Sequence, residues 1–276
     1  MKKIFLILIV SLSLLTACQK NDLNDNFKIG YSTNMKSKED MEEIKKVLEE
    51  NKLSNIPLFF FWVEDFNKND DNGCGIKNWS LTNDFSYNEV ACTDRYEKDH
   101  DISDGNCRLT AYSLIQDKIK INKTIKDYGS YLMFDVDVLE NNSNYKKIND
   151  HFDEFITLYN EMDIENIDND KLREVFPNKW DDYQISLKDD NVSLISFVIH
   201  DEYSKVLFIG HTGVLIKLDN KYLFIEKIAF EQPYQVSIIK DIDDLKNIFK
   251  ERKNYFGDNN EQGPFVYQND KLIFEY

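Results

Sequence analysis

VLFIGHTGVLIK at residues 206–217 and YLFIEKIAF at residues 222–230, separated by a short polar turn, form the stretch that decides the fold. Both segments are rich in β-branched and aromatic residues, and such a turn between them is typical of a β-hairpin. VSLISFVIH at residues 192–200 has the same character and is joined to the hairpin by the turn DEYS. The sequence therefore predicts three consecutive antiparallel strands.

Helical patterns precede this meander. Ser37 and Asp40 form a capping box for a helix that ends near Glu50, and Pro57 suits the first turn of a second helix. The order of helices first and strands later predicts an α+β domain. The segments predicted as helices are residues 58–66, 107–118, 145–159 and 242–255, and residues 265–274 are predicted to form a terminal hairpin.

The composition limits the possible partners. The formal net charge is −16, which repels nucleic acid, so we expect no nucleic-acid partner. With 19 Phe and 15 Tyr the chain has ample material for a core. The loop at residues 67–75 fails as a calcium site, because Lys68 and Trp79 would occupy its first and last ligand positions. We expect neither a metal nor a cofactor.

The amino terminus is typical of an export signal. Lys2 and Lys3 precede an apolar run that is too short to cross a bilayer, and LTAC follows at residues 15–18. LTAC resembles the lipobox of bacterial lipoproteins, which implies cleavage before Cys18 and acylation of its thiol. The resulting boundaries are a signal peptide at 1–17, a lipidated flexible tether at 18–30 and a single domain at 31–276. The implied location is the extracytoplasmic face of the cell membrane, with the lipid anchor in the bilayer.

Three further cysteines follow the tether: Cys74, Cys92 and Cys107. An odd number outside the cytoplasm leaves at least one thiol without a partner inside the chain. Cys74 and Cys92 could close a modest loop as a disulfide, which would leave Cys107 as a free thiol.

Cys107 lies in the sequence DGNCR, where a turn delivers it to the start of an apolar helix. The positive end of a helix dipole lowers the pKa of a thiol, and free N–H groups there can bind an oxyanion. Asp104 and Asn106 either support such an oxyanion hole or only shape the turn. Cys107 is therefore the candidate nucleophile.

A thiolate needs an imidazole partner, and His211 is the best candidate. It lies inside an apolar strand between Gly210 and Gly213, which permit close approach of another group. The other histidines are expected elsewhere: His100 in the loop of the thiol, and His151 and His200 at the surface.

Strand pairing adds a third residue to the site. A two-residue turn places His211 opposite Ile228 and Glu226 opposite Gly213. His211 and Glu226 therefore share a sheet face, on a diagonal of roughly 7–8 Å between their backbones. Because a lone carboxylate in an apolar strand is costly, Glu226 is expected to pair with the imidazole. The predicted site therefore consists of Cys107 as nucleophile, His211 as base and Glu226 as the group that orients the base.

The order of these three residues resembles the papain-like cysteine peptidase superfamily, including its NlpC-like and transglutaminase-like branches. The resemblance implies a helical amino-terminal half whose nucleophile helix packs on a carboxy-terminal antiparallel sheet. DGNC at residues 104–107 is also similar to the nucleophile motif of OTU-type deubiquitinases. Arg108 replaces the hydrophobic or aromatic residue usual there, and HTG at residues 211–213 differs from the histidine motif of that family.

The mature chain also resembles an uncharacterised bacterial lipoprotein family, domain of unknown function 4300, through NCR at residues 106–108 and its late histidine strand. That resemblance implies no activity.

Two functions are compatible with these features. The first is a membrane-anchored cysteine hydrolase or acyltransferase that acts on amide bonds of wall peptides, including those of peptidoglycan, or of exported proteins. The second is a non-catalytic surface lipoprotein that binds a partner on a papain-like scaffold. A solute-binding lipoprotein fits less well, because such proteins are built from repeated strand–helix units.

Overall fold

The computed structural model describes residues 27–68, 70, 73–81, 88–99, 104–251 and 263–276. The predicted signal peptide, the predicted lipidation site Cys18 and most of the predicted tether lie outside these residues, as does His100. In the part that is described, no helix combines the length and the apolar character that a membrane span requires.

The first helix begins where the sequence places its cap. The Ser37 hydroxyl accepts a hydrogen bond from the Asp40 amide at 3.1 Å, which satisfies an N–H group of the first turn. Pro57 lies in the first turn of the second helix, where its missing N–H costs nothing. The helices are α1 (Lys38–Glu50), α2 (Ile56–Lys68), α3 (Glu89–Asp99), α4 (Cys107–Ile115), α5 (Met133–Asn141), α6 (Lys146–Asn149), α7 (Phe152–Tyr159), α8 (Leu172–Asp182) and α9 (Ile242–Glu251).

Antiparallel pairing joins the strands into one large sheet and one small one. The strands are β1 (Tyr31–Thr33), β2 (Ser80–Leu81), β3 (Ile119–Ile121), β4 (Met162–Asp163), β5 (Ile185–Leu187), β6 (Val192–Asp201), β7 (Val206–Lys217), β8 (Tyr222–Lys227), β9 (Tyr234–Ile239), β10 (Phe265–Gln268) and β11 (Lys271–Glu275). The large sheet has the order β11-β10-β6-β7-β8-β9-β1-β2, with β4 paired to β7, and the small sheet is β3-β5. The predicted α+β class is confirmed.

The predicted hairpin register is also confirmed. The Leu218 amide donates to the Lys221 carbonyl at 2.8 Å, so the two residues between them form the turn. Val214 then pairs with Ile225, which is the register expected from a two-residue turn.

The central strands are covered on both faces of the sheet. Along β7, Val214 and Ile216 pack in a large apolar cluster with residues of α1, α2, α4, α7 and α8. Leu215, whose side chain points the other way, packs in a second cluster with Phe249 of α9. Helices therefore lie on both faces, with the helix that begins at Cys107 on the larger side.

One edge of β7 is shared by two partners. β8 pairs with residues 214–217 and β4 pairs with residues 206–207. Between these two ladders, Nη1 of Arg108 donates to the carbonyl of Ile209 at 3.0 Å. The amino-terminal end of α4 therefore lies beside the segment of β7 that carries His211.

Several predicted boundaries were wrong. The predicted helix at 145–159 is broken before α7, because the His151 amide donates to the Ile148 carbonyl and the His151 backbone leaves the helical region. The helix at 107–118 ends at Ile115, where the chain turns into β3. The third strand ends at Lys227 instead of Phe230, because a turn at 229–232 leads into β9. Of the predicted helix at 242–255, residues 252–255 lie outside the described chain.

Candidate functional site

The turn before α4 is held in place by two side chains. Asn106 is the helix N-cap, and its Oδ1 accepts from the amides of Arg108 at 3.0 Å and Leu109 at 3.2 Å. The Gly105 amide donates to the Tyr145 hydroxyl at 2.7 Å. A Cβ atom at position 105 would lie 2.4 Å from the Tyr145 ring, so only glycine fits there.

Cys107 is the first residue of α4 and is 7% exposed. It carries the free thiol among the cysteines that the structure describes. The sulfur therefore lies at the positive end of the helix dipole, where a thiolate is favoured.

His211 follows a bulge in β7. It pairs with Phe197 of β6, and the register then shifts because Gly210 has no partner position on that strand. Its Nε2 lies 2.7 Å from Oε2 of Glu226, and both side chains are almost completely buried. The shared sheet face predicted for His211 and Glu226 is therefore observed.

The Cys107 thiol and the His211 ring lie close enough that each shifts the pKa of the other. Because Nε2 of the ring contacts Glu226, the ring nitrogen that remains for the sulfur is Nδ1. The structure thus brings the three predicted residues into one contiguous series, in the order Cys107, His211, Glu226.

Electrostatics favour a thiolate–imidazolium pair in this series. Burial by itself raises the pKa of Cys107, but the interaction with His211, together with the positive charge of Arg108, outweighs burial, so the pKa lies below its usual value. Burial by itself lowers the pKa of His211, but the thiolate and Glu226 outweigh it and raise the pKa to about 9.

Polar contacts continue beyond Glu226 across the sheet. Nε2 of Gln235 lies 3.3 Å from Oε1 of Glu226 and 3.0 Å from the Ser237 hydroxyl. The Ser237 hydroxyl in turn lies 2.7 Å from that of Ser32 in β1. The carboxylate is therefore fixed from the side opposite His211. The sequence analysis missed these supporting residues because β9 was not predicted.

The contacts of Asp104 and Asn106 support the turn-shaping role. The Asn106 oxygen caps α4, and its Nδ2 donates to Oδ1 of Asp135 at 2.8 Å. Oδ2 of Asp104 lies 4.0 Å from Nη1 of Arg95, a buried residue of α3. Both side chains are thus engaged with protein groups that hold the turn.

Arg108 and Asp135 were missed as part of the site. Asp135 of α5 is fully buried and accepts from Nε of Arg108 at 3.0 Å and from Nη2 at 2.5 Å. Nη2 also donates to the Tyr131 carbonyl at 3.1 Å. The sequence shows an arginine directly after the cysteine, at the start of an apolar helix. A guanidinium that is largely buried at such a position needs a carboxylate partner. The sequence could not identify which of the acidic residues supplies it.

The structure joins Cys74 and Cys92 in a disulfide, the pairing suggested by the sequence. Cys92 lies on α3, three residues before Arg95. The bond therefore ties this helix to the loop that contains Cys74.

The two glycines near His211 leave room for residues of the neighbouring strands. A Cβ at Gly210 would lie 2.2 Å from Ile199, and one at Gly213 would lie 2.6 Å from the Ile225 carbonyl. The close approach expected at these positions therefore comes from neighbouring residues of the sheet.

His200 was expected at the surface, and this was wrong. It is 3% exposed in β6, with Nε2 3.1 Å from Oε2 of Glu202. The strand buries it, because its backbone pairs with Leu207 in the covered part of the sheet. His151 is partly exposed, as predicted.

The fold and the site define an α+β protein with a buried series of thiol, imidazole and carboxylate. The chain belongs to the family described as domain of unknown function DUF4300, whose model matches residues 31–273. Neither a curated protein nor a solved structure matches the chain.

Proposed function

We propose that this chain is an exported, membrane-anchored cysteine hydrolase or acyltransferase with a papain-like arrangement. Its substrates are amide bonds of wall peptides, including peptidoglycan peptides, or of exported proteins. The observation that carries the proposal is the series of Cys107, His211 and Glu226, with the pKa of the thiol lowered and that of the imidazole raised to about 9. A buried free cysteine that only fills the core needs no such partners.

The chemistry follows from this arrangement. The Cys107 thiolate attacks the carbonyl carbon, a carbon–sulfur bond forms, and the carbon–nitrogen bond breaks as the His211 imidazolium gives its proton to the leaving amine. Neutral His211 then takes a proton from water or from an acceptor amine, which attacks the thioester and releases Cys107. Water gives hydrolysis, and an amine gives acyl transfer. Glu226 keeps the ring oriented and stabilises the imidazolium in both steps.

The first turn of α4 supports the oxyanion. The Asn106 side-chain oxygen accepts from the amides of Arg108 and Leu109, and the Asn106 backbone carbonyl accepts from the amide of Thr110. The Cys107 amide is therefore the first-turn donor next to the sulfur, and we assign it to the developing oxyanion.

Access to the sulfur constrains the substrate. Only 7% of Cys107 is exposed. An amide in an extended chain, flanked by small groups, can therefore reach the sulfur more easily than an amide inside a folded domain. This favours extended peptides as substrates.

Alkylation by iodoacetamide tests the proposal. In the full-length chain, labelling is read at Cys107 by peptide mass spectrometry across a range of pH. Cys107 should react well below the pKa of an ordinary thiol, about 8.5, and His211→Ala should abolish that early reactivity. His200→Ala, which removes another buried strand histidine, is the matched control and should leave the profile unchanged. An ordinary thiol profile in the parent chain would refute the proposal.

The near-complete burial of Cys107 and His211 favours one alternative, a non-catalytic binding lipoprotein on the same scaffold. Cys107→Ala distinguishes the two functions. Loss of the cellular phenotype supports the enzyme, whereas full retention of the phenotype supports binding.

The proposed attachment to the membrane rests on the LTAC motif alone and is tested separately. Metabolic labelling with palmitate should mark the parent chain, and Cys18→Ser should lose both the label and the membrane association. Unchanged labelling in Cys18→Ser would exclude Cys18 as the anchor.

A further inference from the structure

Arg108 makes contacts that the proposed chemistry does not use. Its Nη1 donates to the Ile209 carbonyl at 3.0 Å and its Nη2 to the Tyr131 carbonyl at 3.1 Å. Its Nε and Nη2 form a two-point contact with the carboxylate of Asp135. One guanidinium thus connects α4, α5 and β7, and the planar fork of arginine is required for this geometry.

These contacts lie next to both reacting groups. Arg108 directly follows Cys107 in the chain, and Ile209 precedes His211 by two residues, across the bulge at Gly210. A displacement of the guanidinium would therefore change the position of the thiol relative to the ring. A bulged strand next to a gap between two ladders has fewer backbone hydrogen bonds to hold it, so the contact with Ile209 matters more there.

Asp135 holds the other side of the same turn. Its Oδ1 accepts from Nδ2 of Asn106 at 2.8 Å as well as from Arg108, so one buried carboxylate contacts the residues before and after Cys107. The carboxylate is fully buried, and its charge is compensated by the guanidinium.

We infer that Arg108 and Asp135 are positioning residues that set the distance and orientation of Cys107 relative to His211. The inference rests on the proposed function and deepens it, because it assigns the residues that bring nucleophile and base together. It also gives a role to the residue at which the chain departs from the deubiquitinase motif.

A role by charge alone makes different predictions from a role by position. Arg108→Lys keeps the positive charge near the sulfur but cannot make the two-point contact and both carbonyl contacts at once. Asp135→Asn removes a negative charge that opposes thiolate formation, so a pure charge effect would make Cys107 more reactive. Positioning predicts lower reactivity in both variants.

The experiment measures iodoacetamide labelling at Cys107 against pH and the titration of the His211 ring by NMR, in the full-length chain. We expect labelling on the acid limb of the pH profile to fall about tenfold in Arg108→Lys, as for a thiol whose pKa rises by one. The His211 pKa should move from about 9 towards the ordinary 6.5. Asp189→Asn, which breaks the Lys118–Asp189 ion pair beyond the other end of α4, is the matched control and should change neither measurement.

The outcomes separate the two proposals. If the parent chain shows an ordinary thiol profile, the proposed function fails and this inference fails with it. If the parent reacts as expected and both variants match it, or if Asp135→Asn reacts faster, the positioning inference is refuted and the proposed function still stands. Circular dichroism checks the fold of each variant, and Asp135→Asn, which keeps the shape of the side chain, decides the question if Arg108→Lys does not fold.

Discussion

Replacing Glu226 with glutamine removes the charge that faces the imidazolium and keeps the shape of the side chain. Oε2 of Glu226 lies 2.7 Å from Nε2 of His211, a distance typical of a charge-assisted hydrogen bond. A bond to a charged partner contributes about 1.5–3 kcal/mol and a neutral one about 0.5–1.5 kcal/mol. The substitution should therefore cost the imidazolium about 1.4 kcal/mol, which corresponds to a factor of about ten in its protonation equilibrium.

The expected result is a fall in the His211 pKa from about 9 to about 8. In the proposed chemistry the leaving amine needs a proton from the imidazolium, so the alkaline limit of amide cleavage should fall by about one pH unit as well. The pH dependence of the free energy of unfolding follows from the raised pKa of His211 in the folded chain. The contribution of His211 is fully present below pH 6.5 and is lost as pH rises through the folded pKa, so Glu226→Gln should lose it at lower pH than the parent. Cys107 acts in the opposite direction, since its folded pKa is lowered and its contribution is lost as pH falls through that value.

NMR titration of the four histidine rings measures the effect directly. Glu202→Gln is the matched control, because it removes a carboxylate 3.1 Å from His200 and should leave His211 unchanged. If the His211 pKa stays within about 0.3 of the parent value in Glu226→Gln, or moves equally in Glu202→Gln, the carboxylate does not stabilise the imidazolium and the reasoning is wrong.

Three further substitutions test the scaffold, each by urea denaturation. Gly213→Ala should lower the free energy of unfolding by about 1–3 kcal/mol, because its Cβ would lie 2.6 Å from the backbone carbonyl of Ile225; an unchanged midpoint would contradict the contact. Cys74→Ser opens a disulfide of sequence separation 18 to Cys92 and should cost roughly 3 kcal/mol, with the reduced parent chain as the comparison; equal stability of oxidised and reduced parent chains would argue against the bond. Tyr145→Phe should cost about 1–3 kcal/mol by leaving the amide of the nucleophile turn without its 2.7 Å acceptor, and a cost near zero would show that the bond is dispensable.

The sequence predicted the part of the fold that local patterns determine. β-branched runs and a two-residue turn were sufficient to predict the register of β7 with β8, and therefore the side of the sheet shared by His211 and Glu226. The cap at Ser37 was equally local. Residues whose roles depend on one short segment could thus be identified before the structure.

Features that depend on distant segments were not predicted. Asp135 lies in a helix whose sequence alternates acidic and apolar residues, so nothing local distinguishes the buried carboxylate from its exposed neighbours. His200 was misassigned because adjacent acidic residues indicate a surface position, whereas the covering layer comes from elsewhere in the chain. The short strands β1 and β9, which support Glu226 through Ser32 and Gln235, carry no pattern long enough to identify them.

The disulfide described above connects the redox state of the surroundings to the turn that carries Cys107. Cys92 and Arg95 lie on one helix, and Arg95 faces Asp104 in the turn that presents Cys107. In a reducing compartment the bond to Cys74 does not form, so that helix has one covalent restraint fewer and the turn is less well braced. Comparing the His211 titration with and without reductant measures this link, and identical curves would exclude it. Under the proposed export, a newly made chain still inside the cell would have a less organised turn at Cys107, and oxidation outside the cytoplasm would complete it.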